Sequence, residues 1–230
     1  MAKASHTDGW SMKQISRPKS LNLLVAEQIR ELIVSGVIEL GALISENDVA
    51  NKLNVSRTPV REALQKLEIE RLVQIIPQRG TFVFQFNEQE LEQTCKMREI
   101  LEVGALSICL QKDRRGLLVA LDGKLEQGEA ALKSDSRAFH EADAAFHTTL
   151  VETSKNQDLI DAYHNIINRI RSLLNRLART PAELSGSHQD HMKLVELIRN
   201  GEDSEAKAML GWHVNGLLRM YQNKEGARQP

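Results

Sequence analysis

Apolar positions from Leu21 onward fall at helical spacing: Leu21, Leu24, Val25, Ile29, Leu32 and Ile33 form one face and stop at Gly36. This predicts a first helix closed by a C-terminal glycine. Ser45 and Asp48 mark the start of a second helix over 46–53, ended by Asn54. Ser56 is placed to cap a third, with Pro59 tolerated in its first turn, running to about Arg71. The next stretch, LVQIIPQRGTFVFQF, sets two β-rich runs on either side of Pro77-Gln78-Arg79-Gly80, a hairpin pattern. Three helices followed by a hairpin describe a small winged helix-turn-helix.

Beyond Asn87 helical periods run almost unbroken to about residue 223, with breaks near 111–116, 134–135, 155–156, 180–181 and 201–203. That predicts about six helices and no strand. The fold class is therefore mainly α: an N-terminal winged helix-turn-helix and a C-terminal all-helical bundle. The expected divisions are a flexible arm over 1–19, where no apolar period appears, a winged helix over 20–86, a helical domain over 87–223 and a frayed tail over 224–230.

Composition adjusts this picture only slightly. The 230 residues are 41% hydrophobic, 27% charged and 4% aromatic, as expected for packed helices rather than a disordered chain or a large sheet. No run of about 18 apolar residues spans a bilayer, and the N-terminus lacks the apolar core of a secretory signal. Cys95 and Cys109 would stand about 21 Å apart on one helix at roughly 1.5 Å per residue, too far for a disulfide. The expectation is a cytoplasmic protein with no membrane partner. Net charge is −1, split as +2 over residues 1–86 and −3 over 87–230, which decides nothing about partners.

The chemistry begins in SENDVANKLNVSRTPVREALQKL, Ser45–Leu67. Within the third helix Val60, Leu64 and Leu67 form an apolar stripe, while Arg57 and Arg61 share a different face. Arginine can donate two parallel hydrogen bonds to guanine in a major groove. Ser56 and Thr58 can add hydroxyl and backbone N–H contacts to phosphate. Taken singly, each arginine is more simply a solvated charge balanced by Glu62 or Glu68. Taken with the whole motif and with Arg79-Gly80 at the hairpin tip, the pattern favours double-stranded DNA.

VSRTPVREALQKLEIERLVQIIPQRGTFV closely resembles the DNA-binding signature of GntR-type transcriptional regulators, a likeness running from Leu21 to Val83. The resemblance implies that Arg57 and Arg61 read bases or adjacent phosphates, that Thr58 supports them, and that Arg79 and Gly80 carry the wing into the minor groove. Asn47 stands where several members of that family carry a basic, DNA-touching residue, which implies an altered operator preference.

A second constellation lies in the helical part. Asp143 and His147, at i and i+4, project side by side from one helix face. His191 and His213 would be about 33 Å apart on one continuous helix. Asn200-Gly201-Glu202-Asp203 can reverse the chain between them, with His191 10 residues before Gly201 and His213 12 after it. The reversal brings them nearly level and permits a four-ligand N/N/N/O site. The plainer alternative is a surface Asp–His pair in a chain that has unremarkable histidines to spare, His140, His164 and His188 among them.

The segment Asn87–Tyr221 resembles the FCD ligand-binding domain of the FadR subfamily of GntR regulators, through Asp143-x-x-Phe146-His147, through His191 in HMKLVELIRNGE and through His213. The resemblance implies that these residues hold a divalent metal and that a small carboxylate effector completes its coordination. Neutral imidazoles and one carboxylate suit Zn²⁺, Ni²⁺, Mn²⁺ or Fe²⁺. Arg98 has two readings: an i,i+4 pair with Glu102 on an exposed helix, or, by the resemblance, a fork that clasps the effector's carboxylate.

Together these readings point to a regulator rather than an enzyme, probing an inverted-repeat operator as a homodimer whose DNA affinity responds reciprocally to effector. Two rivals remain: a metal-dependent enzyme acting on a small organic acid, and a DNA-binding protein whose metal is purely structural. No motif supplies a positioned general base or a nucleophile for the first.

Overall fold

The computed structural model of the protein describes residues 20–178 and 180–226, with side chains through Lys224. The expected arm over 1–19, and residues 227–230 of the expected tail, lie outside the described residues. The first three helices are α1 (Leu21–Val34), α2 (Glu46–Leu53) and α3 (Arg57–Ile69). Three short strands join them: β1 (Leu43–Ile44), β2 (Val73–Ile76) and β3 (Gly80–Val83). The sheet is antiparallel in the order β1-β3-β2, with Leu43 opposite Phe82 and Ile76 opposite Gly80. Two residues are too few to show a period, and β1 went unseen in the sequence for that reason. Gly80 has φ +112°, and a Cβ there would come within 2.8 Å of Leu43 Cδ1, so the wing tip needs glycine.

The predicted stripe of α3 is the centre of this domain's core. Val60, Leu64 and Leu67 are sealed against Val25, Ile29 and Ile33 of α1 and against Val73 and Val83 of the sheet. The opposite face of α3 is thereby left to solvent.

The rest is helical: α4 (Glu88–Lys112), α5 (Arg114–Leu132), α6 (Ser136–Thr153), α7 (Gln157–Leu177), α8 (Pro181–Asn200), α9 (Asp203–Val214) and α10 (Gly216–Gly226). Asp113, Asp135, Asn156 and Thr180 cap α5 to α8 with their side chains, at the breaks that the sequence marks. α4 packs against α6, α7, α9 and α10, and a main apolar core runs through the bundle, with a smaller cluster around Phe139, Ala178 and Leu184. Among the described residues this part has seven helices rather than six, because the final one divides at Asn215. The Asn215 side chain donates back to the Gly211 carbonyl at 2.7 Å and across to Glu99 at 3.0 Å. That competition with the helical ladder, followed by Gly216, ends α9. α10 continues to Gly226, so residues 224–226 extend the last helix. No described helix is long and apolar enough to cross a membrane.

The two parts meet where α7 caps α1. The last turn of α1 contains no basic residue of its own, and its terminal carbonyls have no intrahelical partners. Ser172 and Arg176 donate to the Ile33 carbonyl, Asn175 donates to Val34, and Arg176 also reaches Ile38 at 2.8 Å. A guanidinium at a helix C-terminus also complements the helix dipole. Arg176→Met should remove about 1.5–3 kcal/mol, the range for hydrogen bonds from a charged group. Chemical denaturation measures this, and an unchanged midpoint would contradict the role assigned to this joint.

Candidate metal centre and DNA-reading face

Ser56 stands at the N-cap of α3, yet its side chain makes no capping hydrogen bond. Pro59, three residues on, removes one of the two first-turn N–H donors that an N-cap side chain can accept, since proline has none. The hydroxyl of Ser56 and the first-turn amides therefore stay open to an outside acceptor. Arg57, Thr58 and Arg61 are exposed on the same end of α3, Asn47 is exposed on α2, and Arg79 and Gly80 are exposed at the wing tip.

The two arginines are not loose. Arg61 donates twice to Glu46, at 3.2 and 3.0 Å, and Arg57 donates to the same carboxylate at 3.1 Å. The Arg61 hydrogen bond, with Arg57 beside it, holds the Glu46 carboxyl below its ordinary range. Glu46 thus gathers both guanidiniums at one point. Pattern reading missed this role, since Glu46 lies 11 residues from Arg57 and 15 from Arg61. Glu62 and Glu68, the balancing charges considered from sequence, go elsewhere: Glu62 accepts from Asn22, and Glu68 accepts the Ile75 N–H.

In the helical domain Asp143 and His147 of α6, His191 of α8 and His213 of α9 come together, each offering an atom within 4.8 Å of all the others. Gly201, with φ +82°, ends α8 and turns the chain, so the reversal read from the sequence is made. The Nε2 atoms of the three histidines stand 3.1 Å (147–191), 3.2 Å (147–213) and 3.0 Å (191–213) apart. An ion bonded to two nitrogens at about 2.05 Å sets them about 2.9 Å apart at 90° and about 3.3 Å apart at the tetrahedral angle. The observed spacings fall between those limits. Asp143 Oδ1 lies 3.6 Å from His191 Nε2 and accepts from Ser187 Oγ at 2.9 Å.

The other ring nitrogens fix the tautomers. His147 donates its Nδ1–H to Glu102 at 2.7 Å, and His213 donates its own to Asp190 at 3.0 Å. Both therefore aim an Nε2 lone pair inward, the carboxylate–histidine arrangement that orients metal ligands. His191 is held flat against Phe146, ring centroids 4.1 Å apart and 8° from parallel. Burial, then the neighbouring His213 and His147, hold the His191 imidazolium well below its ordinary range, and burial lowers His147. Neutral imidazoles are the ligating form, so the donor set fits a divalent metal.

Arg98 combines features of both sequence readings. Its Nε does bond Glu102, at 2.6 Å, but the pair is inside the domain, with side chains 4% and 0% exposed, rather than on an exposed helix. Burial would raise the Glu102 pKa; Arg98 and His147 outweigh it and hold it at about 2. One carboxylate thus joins the arginine of α4 to the histidine of α6. Tyr163 of α7 is buried in the same region, with its hydroxyl unpartnered among the described residues. Burial, then the Glu102 charge, keep that phenol protonated. Tyr163, Asp190 and Ser187 carried no signal in the sequence, because their contacts cross between helices.

His188, His140 and His164 stay out of the cluster. His188 packs beside Glu129 and Phe139, His140 bonds the Ala178 carbonyl, and His164 stands near Glu152 at the surface.

A winged helix-turn-helix joined to an all-helical bundle is the architecture of a two-domain transcription regulator. The family profile "Bacterial regulatory proteins, gntR family" matches residues 21–83, and the profile "FCD domain" matches residues 93–216. The chain belongs to the GntR family of regulators and carries an FCD domain; it is a transcriptional regulator and not an enzyme. It is 29% identical over 199 residues to a protein of Paenarthrobacter nicotinovorans named as a D-xylose utilization operon transcriptional repressor, covering 84% of this chain and 87% of that one. It is 30% identical over 177 residues to the Nta operon transcriptional regulator of Aminobacter aminovorans, covering 76% and 81%. The E. coli McbR/YncC structure shares the fold, with a TM-score of 0.76 at 22% identity over 89% of this chain and 99% of that one.

Glu102→Gln keeps the shape of the side chain but removes the acceptor charge behind His147. Metal affinity should fall about 10- to 100-fold, read by competition with a chromophoric chelator. Unchanged affinity would show that His147 needs no such support.

Proposed function

We propose that the protein is a cytoplasmic, homodimeric repressor whose hold on an inverted-repeat operator is set by a small carboxylate bound at a divalent metal in the helical domain. The observation that carries this reading is the convergence of three imidazole Nε2 atoms at 3.0–3.2 Å, two of them backed by carboxylates, beside a fourth donor, the Asp143 carboxylate. Asp143, His147, His191 and His213 hold the ion. When bound, the metal supplies a Lewis-acidic site for a carboxylate oxygen. Arg98 makes only its Nε contact among the described residues, so its terminal nitrogens are available for a second oxygen. Tyr163 adds a neutral hydroxyl donor.

At the other end, two copies of α3 related by a two-fold axis enter successive major grooves. Arg57 and Arg61 leave Glu46 for base edges or phosphates, with Asn47 beside them. Ser56, Thr58 and the uncapped start of α3 take a phosphate. The wing lays Arg79 and Gly80 along the minor groove. α7 supplies the physical connection: Tyr163 lies beside the Arg98–Glu102 pair, and Arg176, 13 residues or about 20 Å further along the helix, caps α1. A shift of α7 on effector binding changes the pose of the DNA-reading heads. The coupling is reciprocal, so operator DNA changes effector affinity by the same factor.

Selection of bound fragments from the source genome by the purified protein, with and without a chelator, tests the reading. Enrichment of an inverted repeat whose recovery changes on chelation is expected; no enrichment in either arm contradicts it. On the selected site Arg61→Ala should cost about 1–3 kcal/mol of specific binding, and an unchanged affinity would take Arg61 out of base reading.

A further inference from the structure

Between the two domains lies a cleft of about 820 Å³, which the metal cluster does not reach. Its floor comes from α4 and α7, and its opposite wall from the end of α3 and the strands of the wing. Two arginines face it from opposite sides: Arg71, just beyond α3, and Arg169 on α7. Among the described residues neither has an ion-pair or side-chain hydrogen-bond partner, and the Arg169 Nε–H is sealed from solvent with no acceptor at all. A buried, unmade donor on a charged group is costly. The like charge of Arg71 adds to burial in pulling the Arg169 pKa down.

Two carboxylates line the same cleft; the charge of Glu90 offsets part of this cost, but neither carboxylate bonds to either arginine. Glu68 accepts the Ile75 N–H at 2.8 Å, and Glu90 is tied into the capping box of α4, accepting the Asn87 N–H at 3.0 Å. Both are committed to backbone amides. The remaining polar lining, Gln74, Gln85, Gln93, Thr94 and Asn165, is neutral, and Phe84, Met97 and Ile166 give the cleft an apolar side. Its volume is that of a small-molecule site, about 300–1,000 Å³.

We infer that this interdomain cleft is a second ligand site, independent of the metal, which takes a small phosphorylated or carboxylated metabolite with an apolar body, its anionic group clasped between Arg71 and Arg169. The chemistry common to both ligand types is an oxyanion that accepts charge-assisted hydrogen bonds from two guanidiniums. One arginine belongs to the DNA-reading head and the other to the helical domain, so an occupant ties the two together. A neighbouring cavity of about 610 Å³ shares Gln74, Gln85, Phe86 and Glu90 with the cleft and extends to Arg79 of the wing. A ligand here therefore bears on the DNA-contacting hairpin directly rather than through the bundle.

Isothermal titration of the full chain, stripped of metal on a chelating resin, with inorganic phosphate in one arm and succinate in the other, tests the inference. Stripping keeps the outcome separate from the fate of the metal-centred reading. Saturable binding of at least one probe, one per chain and tighter than about 1 mM, is expected. Arg169→Met should weaken it at least tenfold. Arg71→Met, at an exposed position that leaves folding alone, should weaken it severalfold. Tighter phosphate marks the natural ligand as a phosphate ester, and tighter succinate marks it as a carboxylate. Absence of saturable binding for both probes, or binding that survives both substitutions undiminished, overturns the inference.

Discussion

Three imidazole nitrogens from three different helices meet inside the bundle within 3.2 Å of one another. Two of them are held as bare acceptors by carboxylates on their far side. Two lone pairs aimed at one point repel unless a proton on the His191 Nε2 or a cation stands between them. Much of the helical domain serves this convergence. The reversal at Gly201 sets α9 beside α8, Phe146 stacks the His191 ring, and Glu102 is anchored by Arg98 at the centre of α4. The burial that makes the cluster expensive when empty also makes a bound cation strong, since charge interactions are less screened there than at the surface.

Among the described residues the helical domain meets the DNA-reading head chiefly through α7, with Leu40, Phe84 and Phe86 packed onto the bundle core beside it. That helix places Tyr163 beside the Arg98–Glu102 pair, Arg169 in the interdomain cleft, and Ser172, Asn175 and Arg176 on the terminal carbonyls of α1. Only the contacts with α1 are hydrogen bonds; the Tyr163 hydroxyl and the Arg169 Nε–H have no acceptor among the described residues. A helix tied to α1 by these hydrogen bonds carries a displacement made near Tyr163 to that joint. On this view the cleft ligand and the metal-bound ligand act on one mechanical element from two positions.

Much of this organisation was legible in the chain. The α3 stripe of Val60, Leu64 and Leu67 lies where the period puts it, and the four proposed ligand residues come together as the i,i+4 pair and the Gly201 reversal foretold. What escaped has physical reasons. β1 is two residues long, and the break at Asn215 depends on a side chain that satisfies Gly211 and Glu99 at once. Glu46, Asp190 and Tyr163 act across elements, so no spacing along the chain announces them. Ser56 was expected to cap α3 and does not; Pro59 removes one of the two donors open to it. The Arg98–Glu102 spacing was visible but its depth was not, because an i,i+4 pair looks the same on a surface and in a core.

The central claim is that the histidine cluster is a metal site. Diffraction from crystals of the metal-loaded protein at wavelengths on either side of the metal's absorption edge tests it most directly. A single anomalous peak per chain, about 2.0–2.2 Å from the Nε2 atoms of His147, His191 and His213 and from an Asp143 oxygen, is the predicted result. No peak at the cluster in protein that has taken up metal elsewhere, or no uptake at all, would contradict the account.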